Sequence, residues 1–169
     1  DAGKILGAIQ ILWYEMSRTD SVFPVTHDTY LKLFQLSHPD LSKRWDTILF
    51  DEAQDANPVT SAFVLNQPCR VILVGDRYQQ IYRFRGADNA LSAPQLAQAD
   101  RLWLTASFRF GPEVARVANI LLERAGEEKR VTGNGGQDAV VSNIPDEAKH
   151  IAVLSRTVSG VIGSALTAS

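Results

Sequence analysis

Two neighbouring carboxylates, Asp51 and Glu52, stand directly after the short apolar run Thr47-Ile48-Leu49-Phe50. Such a run reads as a buried strand, and in open α/β sheets ligands bind at the carboxyl ends of the strands. There the two carboxylates can divide labour, one holding a hydrated Mg²⁺ while its neighbour polarises an attacking water. An acidic turn that caps the following helix is the competing reading of an isolated Asp-Glu pair.

A second segment, Val74-Gly75-Asp76-Arg77-Tyr78-Gln79-Gln80-Ile81-Tyr82-Arg83-Phe84-Arg85-Gly86-Ala87, follows another apolar run and so emerges on the same edge as Asp51. A glutamine there can sense a terminal phosphate or orient water. Tyr82, Phe84 and the arginines around them alternate aromatic and basic character. That is the composition of a stacking platform for a single strand, where rings take bases and guanidinium groups take phosphates. Alone, such a stretch also reads as an aromatic-containing core turn. A third segment, Leu104-Thr105-Ala106-Ser107-Phe108-Arg109-Phe110-Gly111-Pro112, sets Arg109 just ahead of a helix N-terminus, where a guanidinium can reach a transferring phosphate or join a surface salt bridge.

The elements that must position these residues follow from apolar spacing. Ile5, Ile9, Leu12 and Met16 recur at helical intervals and predict an amphipathic helix over 3–18. A second helix is expected over 27–37, with Thr26 as N-cap and Tyr30, Leu31 and Phe34 on its apolar face. Pro58 opens a third before Val59, Phe63 and Val64. Residues 70–74, 102–104 and 151–154 read as further buried strands, 111–125 as a strong helix and 157–167 as another. The polar, glycine-rich stretch 126–138 reads as a surface loop; no strand precedes its glycines and no Lys-Ser/Thr follows them, so it is not a phosphate cradle. Apolar strands alternating with helices predict an α/β fold whose parallel sheet is covered on both faces.

Bulk properties narrow the choice. The 169 residues have room for one domain or for parts of two, and 45% apolar with 21% charged residues marks a globular chain. A formal net charge of −2 supplies no overall basic field for nucleic acid, though it leaves room for a local groove. The one cysteine, Cys69, cannot pair internally and reads as a small buried hydrophobe in a reducing compartment. No apolar run approaches membrane-spanning length, and no basic-then-apolar leader is present. Helical pattern begins at Asp1 without a methionine, which suggests an excised or partial product.

Taken together, Asp-Glu-Ala-Gln-Asp, then Gly-Asp-x-x-Gln-x-Ile-Tyr-x-Phe-Arg-Gly-Ala, then Ser-Phe-Arg resemble motifs II, III and IV of the UvrD/Rep-like superfamily 1 DNA helicases. The stretch Thr26-His27-Asp28-Thr29-Tyr30-Leu31-Lys32-Leu33 and the wording Gln80-Ile81-Tyr82 look closest to the F-box DNA helicase branch. Ala152-Val153-Leu154-Ser155-Arg156-Thr157 is similar to a strand of the second motor lobe in that family, so the resemblance covers about residues 26–157.

The resemblance implies partial RecA-like motor lobes of the P-loop NTPase fold. Residues 1–104 would be the back part of the first lobe, with N-terminal helices from an inserted helical subdomain, and 105–169 the start of the second. It implies ATP and Mg²⁺ as cofactors and 3′-to-5′ movement on single-stranded DNA. Asp51 would bind Mg²⁺ through water and Glu52 would be the general base. Gln79 would couple the γ-phosphate to DNA, Arg109 would contact that phosphate, and Tyr82, Phe84 and Arg85 would meet the strand. The implied partners are single-stranded DNA and the remainder of the helicase chain, with no membrane, in the bacterial cytoplasm or nucleoid or in a nucleus.

The sequence departs from the family pattern in several places. Arg77 stands where Pro is usual, which predicts a slightly different turn, and Phe84 replaces the common tryptophan with a smaller stacking face. No G-x-x-x-x-G-K-[ST] occurs; Gly3-Lys4 is followed by Ile5. The late Gln-x-x-Arg segment is absent too. A chain with the catalytic base and no phosphate cradle is expected to be inactive as an ATPase by itself. The alternative from another class is a non-catalytic, helicase-derived module that binds DNA or protein; retention of Asp51, Glu52, Gln79 and Arg109 speaks for a piece of a working enzyme. An unrelated P-loop ATPase of the transporter or AAA type accounts for Asp51-Glu52 but not for residues 75–87.

Overall fold

The computed structural model describes residues 1–144, 148 and 150–167. The chain divides into two compact units, Asp1–Asp100 and Arg101–Ser169. It mixes helices with two small parallel sheets.

In the first unit, helix α1 spans Ala2–Ser17 and helix α2 spans His27–Leu36. Thr26 caps α2 as its sequence predicts, its side chain accepting from the Thr29 amide at 3.3 Å. The apolar stripe of α1 is only partly covered, with Ile5, Ile9 and Leu12 exposed. Leu6, Ile11, Trp13 and Tyr14 lie exposed around the rest of the helix, so α1 is apolar on more than one face. Strand β1, Thr47–Phe50, and strand β2, Arg70–Leu73, are joined by helix α3, Pro58–Leu65, and pair in parallel with Thr47 opposite Arg70 and Phe50 opposite Leu73. Asn57 caps α3 through its side-chain oxygen on the Thr60 amide at 2.8 Å, and Pro58 takes the first turn, where its missing N–H costs nothing. Phe34 of α2 meets Phe63 of α3 edge-on, with ring centroids 5.1 Å apart. Gln67 fastens the chain between α2 and β1 to the end of α3, donating to the carbonyls of Pro39 and Phe63 and accepting from the Leu41 amide.

The strands are not buried on both faces. Ile48, Phe50, Val71 and Leu73 are half-buried, while Leu49 and Ile72 on the other face are 73% and 43% exposed. Period-2 geometry sends alternate side chains to opposite faces, and this two-stranded sheet is covered on one of them. Phe50 and Leu73 pack there against the small buried residues Ala53, Ala56 and Ala90. Cys69 is a free thiol and only half-buried.

In the second unit, strand β3, Ala106–Ser107, pairs in parallel with strand β4, Thr132–Gly133. Helix α4, Pro112–Arg124, lies between them in sequence, and helix α5, Val158–Thr167, follows. Three expectations are corrected. Residues 102–104 form no ladder, with Leu102 and Leu104 almost fully exposed and the Lys129 ammonium 4.7 Å above the Trp103 ring. Residues 151–154 form none either. The stretch read as a plain loop instead supplies β4. Apolar character alone cannot make a strand without a partner edge, whereas glycine lets two backbones approach: a Cβ on Gly133 would collide with the backbone of Gly111.

That loop also caps α4. Gly111 at the N-cap has no side chain, and the Asp138 carboxylate takes the amides of Glu113 and Val114, each at 3.0 Å. Partial desolvation pushes the Asp138 carboxyl up, but hydrogen bonds from the backbone of Val114, Glu113 and Gly111 outweigh it and hold the group below the ordinary aspartate value of 3.8. A depressed folded value means that the stabilising charge is present above the unfolded value and is lost as pH falls through the folded one. Thermal melts of the chain and of Asp138→Asn should therefore differ most at about pH 5 and above, and the gap should close as pH falls below about 4. A gap that does not change with pH would mean that the carboxylate charge plays no part in the cap.

Candidate functional site

The site grows from the ends of β1 and β2. Beyond Phe50 the Asp51 carboxylate accepts from the Glu52 amide at 2.9 Å. Glu52 then adopts a left-handed backbone, φ 52° and ψ 37°, an uncommon conformation for a residue with a Cβ. The kink turns the chain into a short 3₁₀ turn, Ala53–Asp55, and the Ala53 amide donates to the Val74 carbonyl at 3.0 Å. The parallel ladder thus runs one step past both strands and draws the two motif-bearing segments together.

Gln54 sits at this junction and is 1% exposed. Its Nε2 donates to Glu52 Oε2 at 2.6 Å, and its Oε1 accepts from the Asp76 amide at 3.0 Å. Its own carbonyl accepts from Gln80 Nε2 at 2.8 Å. Gly75 leaves room for it, since a Cβ there would overlap Gln54 Oε1 and stand 3.1 Å from the Ala53 nitrogen. The Asp76 carboxylate in turn takes the Tyr78 amide and Gln79 Nε2, both at 2.9 Å, and so orients Gln79 within the 3₁₀ turn Arg77–Gln79. Arg77, where the family pattern has Pro, lays its guanidinium 4.7 Å over the Tyr78 ring.

The aromatic-basic stretch follows at once. Asp55 Oδ1 accepts from the Tyr82 amide at 3.2 Å, which ties the start of the stretch to the acidic turn. The Tyr82 and Phe84 rings lie 6.5 Å apart at 38°, and the Arg85 guanidinium stands 5.6 and 5.5 Å from their centroids. Gly86, at φ 80°, closes the turn in a conformation suited to glycine. Phe84 is 80% exposed, so it is not a core side chain in this unit.

Asp51, Glu52 and Gln79 therefore meet on one edge of the first unit, with Tyr82, Phe84 and Arg85 on the adjoining turn. Arg109 belongs to the second unit, on an exposed bend after β3, its amide donating to Ser107 Oγ at 3.3 Å. Gln54, Asp55, Asp76 and Gln80, to which sequence reasoning gave no role, carry the hydrogen bonds that assemble the edge. The available signal was two small residues, Ala53 and Gly75, one beside each acidic strand end.

No helix among the described residues is long and apolar enough to cross a membrane. Residues 16–94 match the UvrD/REP helicase N-terminal domain. The chain is 47% identical to F-box DNA helicase 1 of Gallus gallus over 116 residues, an alignment covering 66% of this chain and 11% of that protein. It is 42% identical over 134 residues to F-box DNA helicase protein 1 of Schizosaccharomyces pombe, covering 77% of this chain and 15% of the relative. With DNA helicase IV of Escherichia coli it shares 31% over 124 residues, 66% of this chain and 18% of the relative. The chain thus spans less than a fifth of the length of each of these relatives. The acidic strand end and the glutamine turn both lie inside the matched segment, and the chain fits a fragment of a UvrD-like helicase.

Proposed function

We propose that this chain is part of an ATP-dependent motor that moves 3′-to-5′ on single-stranded DNA, the first unit belonging to one RecA-like lobe and the second opening another. The observation that carries this reading is the fusion of two chemistries on one edge: an ordered acidic pair, Asp51-Glu52, hydrogen-bonded through Gln54 to the turn that presents Gln79, Tyr82, Phe84 and Arg85. A DNA-dependent ATPase requires that adjacency.

Among the described residues no three His, Cys, Asp or Glu groups converge as a metal site. A hydrated Mg²⁺ asks for only one or two carboxylates and completes its shell with water and phosphate oxygens, so Asp51 fits the role. Bound ATP supplies the phosphoryl group and its oxygens. Glu52 accepts the proton of the attacking water and Gln79 orients groups at the terminal phosphate, while the family resemblance gives Arg109 of the second unit a phosphate-contacting role. Tyr82 and Phe84 stack on bases while Arg85 takes phosphate.

In the complete polypeptide Glu52→Gln should leave ATP affinity nearly intact and abolish turnover, and Arg109→Ala should lower turnover by about 10³-fold or more. Nucleotide titration and steady-state phosphate release measured separately decide it; near-normal turnover in Glu52→Gln would place the base elsewhere. Phe84→Ala should weaken single-strand binding by about one to two orders of magnitude, the worth of one stacked base, and Phe84→Trp should hold or improve it. Anisotropy titrations at one fixed salt, with melts on the same variants, test this. An unchanged DNA affinity in folded Phe84→Ala would remove the stacking role.

A further inference from the structure

Gln54 makes an unusual division of its hydrogen bonds. A buried glutamine held for structure alone satisfies its amide on backbone or other buried groups, yet Gln54 directs its donor end to an exposed carboxylate, Glu52. The orientation of that amide is dictated from both sides. The Asp76 N–H can only donate, so it selects Oε1, and an ionised Glu52 can only accept, so it selects Nε2. Flipping the amide would break both bonds. Gln54 itself is immobilised by burial, by the Gln80 amide on its carbonyl and by the absence of a Cβ at Gly75.

We propose that Gln54 is the positioning residue that sets the Glu52 carboxylate and the Gly75–Asp76 turn in one fixed frame, an inference that rests on Glu52 being the general base. It acts through Glu52. A carboxylate on two or more free torsions samples many directions, whereas the Gln54 donor confines it to one. A displacement of about 1 Å in a reacting group costs on the order of 10²-fold in rate. Loss of the restraint should therefore fall on kcat. Where the bond to the Asp76 amide is kept, the turn that presents Gln79 is undisturbed, so KM for ATP should move little.

The test uses the complete polypeptide, with ATP hydrolysis followed at saturating single-stranded DNA. Gln54→Glu keeps an acceptor for the Asp76 amide and so keeps the turn, while replacing the donor toward Glu52 with an oxygen of like charge. Gln54→Met removes both polar ends at similar volume. Both variants should lose about ten- to a hundredfold in kcat, and Gln54→Glu should do so with KM for ATP changed less than about threefold. Should Gln54→Met fail to fold, Gln54→Glu decides alone. Normal kcat in a variant whose melt shows it folded overturns the proposal, as does a raised KM with kcat preserved. Glu52→Gln run in parallel separates the two ideas. If it abolishes turnover while the Gln54 variants keep theirs, only the positioning role fails; if Glu52→Gln keeps turnover, the general-base reading fails and takes this one with it.

Discussion

A single backbone hydrogen bond, from the Ala53 amide to the Val74 carbonyl, organises the first unit's chemistry. It continues the β1–β2 ladder past the point where both strands have ended, which obliges the chain after Glu52 to bend back over the chain before Gly75. The bend needs a left-handed residue at Glu52, small side chains at Ala53 and Gly75, and a buried polar group to meet the amide exposed at Asp76. Gln54 is that group. Remove the ladder step and the acidic pair and the glutamine turn are left to the bonds made by Gln54, Asp55 and Gln80 to hold them together.

Much of this was legible in the residues themselves. Thr26 and Pro58 announced their helices because capping and the proline N1 preference are local effects that need no knowledge of the fold. The two strand ends were legible because apolar runs stopping at Asp51 and at Gly75 carry both the strand and its termination. What could not be read was pairing. Residues 102–104 and 151–154 have strand composition and no ladder, while Thr132–Gly133 has the composition of a loop and forms one. Ladder formation depends on a partner edge brought from elsewhere, and glycine, which weakens a strand intrinsically, is what allows that edge to approach. Gln54 was hidden for a related reason: its importance lies in bonds to residues 22 and 26 positions away, not in its neighbours.

Charge is distributed locally rather than globally. The net charge of −2 conceals a turn in which Arg83 and Arg85 flank Phe84 two strand-end segments away from Asp51 and Glu52. Asp55 ties the two by accepting from the Tyr82 amide, so the basic and acidic surfaces are kept adjacent without an ion pair that would neutralise either. Under the proposed function, such a surface would attract an anionic strand at one side while leaving carboxylates intact at the other, something a uniformly basic surface cannot do.

The one-sided sheet has a further meaning. Leu49 and Ile72 present an apolar face, and β1 and β2 each have a single laddered neighbour among the described residues, so both outer edges offer backbone groups as templates for added strands. With the exposed apolar surface of α1 nearby in sequence, the chain handled by itself carries the two features that drive self-association, open edges and uncovered hydrocarbon. Its self-association should therefore rise with concentration, and charged substitutions at Leu49 or Ile72 are the places where that tendency can be relieved without touching the acidic edge.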